Sequence, residues 1–189
     1  MLYLVRNIRI KAQSIQIPRL YLVYHDGAIQ LRLWLPWPIE VRAGQYMYLW
    51  IPAASIFSTC PIMITWWGFI EGEFFIDGLL RTRKGFSDRI SRLNTIRSLN
   101  EVSSKRPSSN DSYYYALFDG PYGAPSDLSG FSRIVMFATD IGITSHISFI
   151  LELLHGVQNG TTSAKHIYLF WEIAESMYMT ATIKQKSNL

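Results

Sequence analysis

Between Ala28 and Leu35 the chain alternates without a break. Ile29, Leu31, Leu33 and Leu35 are separated by Gln30, Arg32 and Trp34. A period of two places the four aliphatic residues on one face of a β-strand. The turn His25-Asp26-Gly27-Ala28 precedes this run, and Asp-Gly is the strongest short hairpin signal. Leu20 to Tyr24 before the turn supplies the partner strand. Pro36 and Pro38 end the second strand, because proline has no ladder N–H. A hairpin with one oily face is not stable alone and needs further strands to cover it. The sequence provides them at Tyr46–Ile51, after the turn Arg42-Ala43-Gly44, and at Ile62–Trp67 and Glu73–Leu80. Short strands at this spacing predict a small barrel or sandwich.

Composition excludes several alternatives. The chain has 189 residues, of which 49% are hydrophobic and 17% charged, so it is not disordered as a whole. That length is one domain or two small ones. A single cysteine excludes a disulfide framework and any multi-cysteine zinc or iron–sulfur site. His25, His146, His155 and His166 show no metal-ligand spacing. No pair of carboxylates and no nucleophile–base arrangement stands out, so no catalytic side chain is assigned. The N-terminus lacks a signal-peptide pattern. Gln45 to Ile70 carries no charge, but Pro52 and Pro61 interrupt any spanning helix. The net charge of +4 is too small to point to nucleic acid.

The basic charge is uneven. Eight of the 18 Lys and Arg residues fall in residues 81–106: Arg81, Arg83, Lys84, Arg89, Arg92, Arg97, Lys105 and Arg106. Phe86, Ile90 and Leu93 recur there at helical spacing and predict a helix over Ser87–Leu93. Asn100–Ser112 reads as a loop and Tyr113–Phe118 as a strand. From Ser132 the pattern changes. Ile134–Ala138 and Ile167–Trp171 are continuous apolar runs. Between them Ile147, Ile150, Leu151 and Leu154 share a helix face, with Thr144 or Ser145 as its cap and Gly156 as its end. Strand, helix and strand in this order predict a βαβ unit with a parallel sheet. The boundary falls near 124–130. The pattern therefore predicts a barrel-like first part and the start of a nucleotide-type second part.

Four motifs carry a family resemblance when taken in order. They are Arg42-Ala-Gly-Gln-Tyr-Met-Tyr-Leu-Trp-Ile-Pro52 with Cys60-Pro-Ile-Met-Ile-Thr-Trp-Trp67, then Lys84-Gly-Phe-Ser87, then Asp119-Gly-Pro-Tyr-Gly123, then Ala138-Thr-Asp-Ile-Gly-Ile-Thr144. The chain resembles the cytoplasmic FAD- and NADPH-binding region of fungal ferric reductases, relatives of the NADPH oxidases within the ferredoxin–NADP reductase-like superfamily. The resemblance runs from about Leu20 to Glu172. It implies an antiparallel Greek-key β-barrel over residues 1–125, followed by an incomplete parallel βαβ nucleotide-binding domain over residues 131–189. It implies that Tyr46 binds the cofactor and that Pro61, Ile62, Met63, Ile64 and Thr65 line the FAD ring. It implies that Gly85, Phe86 and Ser87 meet the FAD pyrophosphate, where free N–H groups and a helix dipole favour an anion. Gly120 and Gly123, in a turn by composition, would close the flavin domain near the nicotinamide. Gly142, Ile143 and Thr144 would form the NADPH turn. The sequence departs from the family in three places. Cys60 replaces a histidine, Ile62 a phenylalanine, and Asp140 a glycine.

The resemblance implies an FAD-binding oxidoreductase module that passes electrons from NAD(P)H through flavin to haem or ferric iron. The partners implied are FAD, NADPH, and a haem-containing membrane domain or a ferric chelate, with no nucleic acid. The family sits at the cytoplasmic face of a membrane, and this chain alone could be cytoplasmic. The alternative is a catalytically inactive, truncated flavoprotein-like fragment that acts as an interaction module or not at all.

Overall fold

In a computed structural model the chain is described at residues 7, 9–11, 14–25, 27–82, 85–101 and 113–173. Strands β1 (Arg9–Lys11) and β2 (Ser14–Gln16) form a small antiparallel pair. Seven strands make the main sheet: β3 (Arg19–His25), β4 (Ala28–Leu35), β5 (Tyr46–Trp50), β6 (Thr59–Ile70), β7 (Glu73–Arg81), β8 (Tyr114–Tyr115) and β9 (Leu117–Tyr122). Helix α1 (Phe86–Glu101) lies between β7 and β8. Strand β10 (Arg133–Thr139), a 3-10 turn (Asp140–Ile143), helix α2 (Thr144–Gln158) and strand β11 (His166–Glu172) follow.

The main sheet is antiparallel throughout, in the order β8-β3-β4-β7-β6-β5-β9. Its two edge strands are consecutive in sequence. Only Ala116 separates β8 from β9, and that residue is fully buried, with its N–H donating to the Pro18 carbonyl. The sheet therefore curls so that its two edge strands come together at Ala116, although β8 pairs with only Arg19 and Leu20 of β3. The alternation of β4 decides which side faces inward. Ile29, Leu31, Leu33 and Leu35 are at most 2% exposed and pack with Leu20, Met47, Leu49, Ile62, Ile64, Ile76 and Phe118 in one core. Buried Asn7 acts as a short extra ladder rung, since its side-chain amide donates to the Phe118 carbonyl and its oxygen accepts the Phe118 N–H.

The βαβ expectation is met. Strands β10 and β11 pair in parallel from Arg133↔His166 to Thr139↔Glu172. The apolar runs are not buried on both faces, however. Ile134, Met136 and Ala138 are covered, whereas Val135 and Phe137 are exposed. The helix stripe also divides. Ile150 joins Ile134, Met136, Leu153 and Phe149 in a second small core, while Leu154 is exposed. Buried positions of α2 include Thr144 and Ser148, which the stripe does not contain.

Several boundaries differ from the sequence reading. Helix α1 begins one residue earlier than Ser87 and continues past Leu93 to Glu101. Its continuation covers part of the segment read as a loop, and 102–112 lies outside the described residues. Helix α2 passes Gly156 and ends at Gln158, with Gly160 at φ +67 beyond it. The hydroxyls of Thr144 and Ser145 do not cap it. They donate backwards to the Ile141 and Gly142 carbonyls, because the 3-10 turn feeds straight into the helix. Asp119-Gly-Pro-Tyr-Gly123 is not a free turn. Its first four residues lie in β9, which pairs with β5 at Tyr48↔Asp119 and Tyr46↔Tyr122.

Candidate functional site

Strands β5, β6 and β9 lie side by side, with one face of each turned to the core. Met47 and Leu49 face inward, so Tyr46 and Tyr48 face outward. Opposite them on β6 stand Met63 and Pro61, and opposite Tyr46 on β9 stands Tyr122. Residues directly opposite share a face. The three tyrosine rings form a closed triangle, with centroids 5.8 Å (Tyr46–Tyr48), 5.9 Å (Tyr46–Tyr122) and 5.9 Å (Tyr48–Tyr122) apart. The Tyr122 hydroxyl donates to the Asp119 carboxylate, which fixes that ring. The rings are tilted to one another, at 78°, 39° and 67°, so they form an edge-to-face aromatic wall that offers ring faces and hydroxyls together.

The structure brings together Tyr46, Pro61, Met63, Gly120 and Gly123 at this wall. Crowding and a positive φ require glycine at 120, and a φ of +99 favours it at 123. A Cβ on Gly120, at φ +135, would sit 3.2 Å from the Met47 Cα and from the Tyr46 carbonyl oxygen. Gly123 lies against the Gly44 carbonyl, and its own carbonyl accepts from the Gln45 side-chain amide at 3.2 Å. Ile62 and Ile64 correct the expectation. Their side chains are at most 1% exposed and belong to the core, so they offer backbone groups only. Thr65 is buried at a β-bulge between Ile64 and Trp66. Next to Pro61, burial pushes the Cys60 thiol up from its ordinary pKa, which keeps it protonated.

Gly85, Phe86 and Ser87 lie at the start of α1, beyond the end of β7. Gly85 is exposed at φ +112, with open space where a Cβ would be. Phe86 and fully buried Ile90 anchor the helix to the main core, and the Tyr24 hydroxyl donates to the Ile90 carbonyl at 2.9 Å. Ser87 is buried. Asp88 in the first turn pairs with Arg92 at 2.9 Å. Arg83 and Lys84 lie outside the described residues.

Gly142, Ile143 and Thr144 belong to the other unit, at the C-terminal end of β10. Gly142 is exposed with no atom within 4 Å of a Cβ position, whereas Ile143 and Thr144 are buried. Asp140 adopts φ +46, a left-handed conformation suited to the glycine it replaces. Its carboxylate lies 3.6 Å from the Arg81 guanidinium at the end of β7. The two units also touch at Gly44, whose N–H donates to the Ser148 hydroxyl at 3.1 Å, and whose missing Cβ leaves room for the Phe149 ring.

Sequence reasoning missed Tyr48, Tyr122 and Arg81. The spacing of Tyr46 and Tyr48 put both on one face, but Tyr122 joins them only through the β5–β9 pairing. A separate open groove of about 1940 Å³ holds none of the expected site residues. Trp34, Trp66, Phe75, Ile147 and Leu151 line it together with the Arg32–Asp77 pair, bidentate at 2.7 Å. Burial pushes the Asp77 carboxyl up despite that pairing, while Asp77 holds the Arg32 guanidinium above its usual value. No group of three metal-binding side chains occurs among the described residues, and no helix among them is long and apolar enough to cross a membrane.

Solved structures share this arrangement of barrel, parallel strands and helix. A ferredoxin NADP+ reductase from Neisseria gonorrhoeae with bound FAD and NADP superposes with a TM-score of 0.58 at 16% identity, covering 90% of this chain and 62% of that one. Phthalate dioxygenase reductase superposes with a TM-score of 0.57 at 14% identity, covering 90% and 48%. The fold is that of the ferredoxin–NADP reductases. Sequence relatives include respiratory burst oxidase homologues of plants. Respiratory burst oxidase homolog protein A of Arabidopsis thaliana is 26% identical over 176 residues, which is 84% of this chain and 18% of the relative. Homolog protein E of the same species is 26% identical over 191 residues, 94% and 19%. The chain thus spans about a fifth of the length of these relatives. No protein-family model matches it.

Proposed function

We propose that this chain is an FAD-binding oxidoreductase module that takes electrons from NAD(P)H and passes them through flavin to haem or ferric iron. The observation that carries the reading is the tyrosine wall of β5, β6 and β9 within a ferredoxin–NADP reductase fold. The residues present fit the cofactor. Tyr46, Tyr48 and Tyr122, with Pro61 and Met63, offer an aromatic and apolar surface in which one tyrosine face could stack on an isoalloxazine ring. Gly85 to Ser87 offer a helix start with open space for a pyrophosphate. FAD, when bound, supplies the conversion of a two-electron hydride donor into single-electron transfers.

The chain's own contribution is binding and placement. The tyrosine wall orients the ring and excludes water from one of its faces. Gly120 and Gly123 let the backbone pass close beside it. Gly142 to Thr144 mark where a pyridine dinucleotide would approach, and the Gly44–Phe149 contact sets how that unit meets the barrel. No acid or base side chain is required for a hydride transfer of this kind. The domain division proposed is a barrel over residues 1–125 and a nucleotide unit over 131–189. The membrane-facing position and haem acceptor are proposed from the oxidase relatives.

The test is spectroscopic. The chain purified with excess FAD and freed of unbound cofactor should retain a flavin absorption band, and anaerobic NADPH should bleach it. Failure to retain FAD sinks the flavin reading. Retained FAD without bleaching sinks the reductase reading alone and leaves the inactive flavoprotein-like alternative.

A further inference from the structure

Asp140 is held in the left-handed backbone conformation, φ +46, and its contacts include one from each unit. The Trp171 indole N–H donates to the Asp140 carbonyl at 2.9 Å, within the βαβ unit. The Arg81 guanidinium reaches the Asp140 carboxylate from the barrel, at 3.6 Å. That distance makes a charge contact but not a hydrogen bond of good geometry. Both side chains are about a quarter exposed, at 24% and 26%. Solvent and small ions therefore reach the pair, and it is exchangeable rather than sealed. Asp140 is two residues from Gly142, where the turn is open.

A guanidinium binds carboxylate and phosphate with the same fork of N–H groups. A phosphate that arrives at this turn meets the Asp140 charge and finds Arg81 already engaged. We propose that Arg81 is the phosphate-recognising residue of the nucleotide turn and that Asp140 is its internal competitor, lowering affinity for a pyridine dinucleotide until the phosphate takes its place on Arg81. The proposal rests on the reading of this turn as the dinucleotide site. It differs from that reading in assigning recognition to a barrel residue, so that the two units share the ligand. Nothing covalent changes: one anion replaces another on one cation.

The experiment titrates NADP+ into the FAD-loaded chain by calorimetry, for the wild type, Asp140→Asn, Arg81→Gln and the double variant. Asparagine keeps the size of the side chain and tolerates positive φ, so the turn keeps its shape. Asp140→Asn should tighten NADP+ by about fivefold, the scale of one partly exposed charge pair. Arg81→Gln should weaken it by a similar factor, and in that background the gain from Asp140→Asn should shrink to about twofold or less. Should Arg81→Gln fail to fold by circular dichroism, Arg81→Met replaces it, keeping the length of the side chain and losing the charge, with the same outcomes expected. An equal gain in both backgrounds overturns the proposal, as does a change in FAD affinity in place of NADP+ affinity. If no variant binds NADP+ while FAD is retained, the proposal falls and the flavin site stands. Loss of both ligands sinks the functional reading itself.

Discussion

Gly44 is a point of close approach between the barrel and the nucleotide unit, and Gly44→Ala tests that contact. Its φ of +80 costs a non-glycine residue about 1–2 kcal/mol. A Cβ there would lie 2.4 Å from Phe149 Cζ and 2.8 Å from Cε2. Ordinary carbon contacts begin near 3.5 Å, so the ring or the helix must retreat by about 1 Å. Overpacking of that size costs about 1–3 kcal/mol. The sum predicts a loss of about 2–5 kcal/mol in Gly44→Ala. Phe149→Ala removes a half-buried ring and should cost about 2 kcal/mol, below the range for a fully buried phenylalanine. In the double variant the steric part vanishes and only the conformational cost of an alanine at positive φ remains. The two changes should therefore couple favourably by about 1–3 kcal/mol. Urea unfolding of all four chains, compared at equal m-value, measures this. Additivity within about 0.5 kcal/mol would show that the ring does not occupy the space beside Gly44, and the account of how the units meet would be refuted.

Further predictions concern the wall and the titrating groups. Tyr48→Ala should weaken FAD binding by about tenfold or more with little change in the unfolding midpoint, since Tyr48 faces outward; fluorescence titration of FAD reads it. Tyr122→Phe keeps the ring and removes the bond to Asp119, so it should keep most FAD affinity, and a loss as large as that of Tyr48→Ala would show that the hydroxyl rather than the face matters. The Asp77 carboxyl has a folded pKa above its unfolded one, so it contributes stability below the unfolded value of about 3.9 and loses that contribution as pH rises through the folded value. Stability relative to Asp77→Asn should therefore fall as pH is raised across that window, and a rise would contradict the dominance of burial. Cys60, whose thiol burial keeps protonated, should react with iodoacetamide more slowly than a free cysteine at a pH of about 8 in the folded chain and at the ordinary rate in urea.

Periodicity alone located β3 to β7 and the strand–helix–strand unit, whereas the strand read at Tyr113–Phe118 is divided at Ala116 into β8 and β9. The alternation Ile29, Leu31, Leu33, Leu35 is written locally, and each of those residues is buried. The resemblance motifs likewise placed Tyr46, Pro61 and Met63 at a common region. Other features depended on contacts between residues far apart in sequence. An apolar residue reads the same whether it faces the core or a ligand, so Ile62 and Ile64 were legible as strand but not as inward-facing. Asp119 to Tyr122 has the composition of a turn, yet β5 recruits it as a strand because the curled sheet needs an edge partner once β8 has paired with β3. The tyrosine triangle joins positions 46, 48 and 122, and the Arg81–Asp140 pair joins the two units. Which segments become strands and helices was thus largely readable from the chain itself, because hydrophobic period is a local property, whereas β9 and the second half of α1 were not. Which faces become wall, core or interface was settled only on folding, because closure of the sheet and docking of α2 choose among faces that local sequence leaves equivalent.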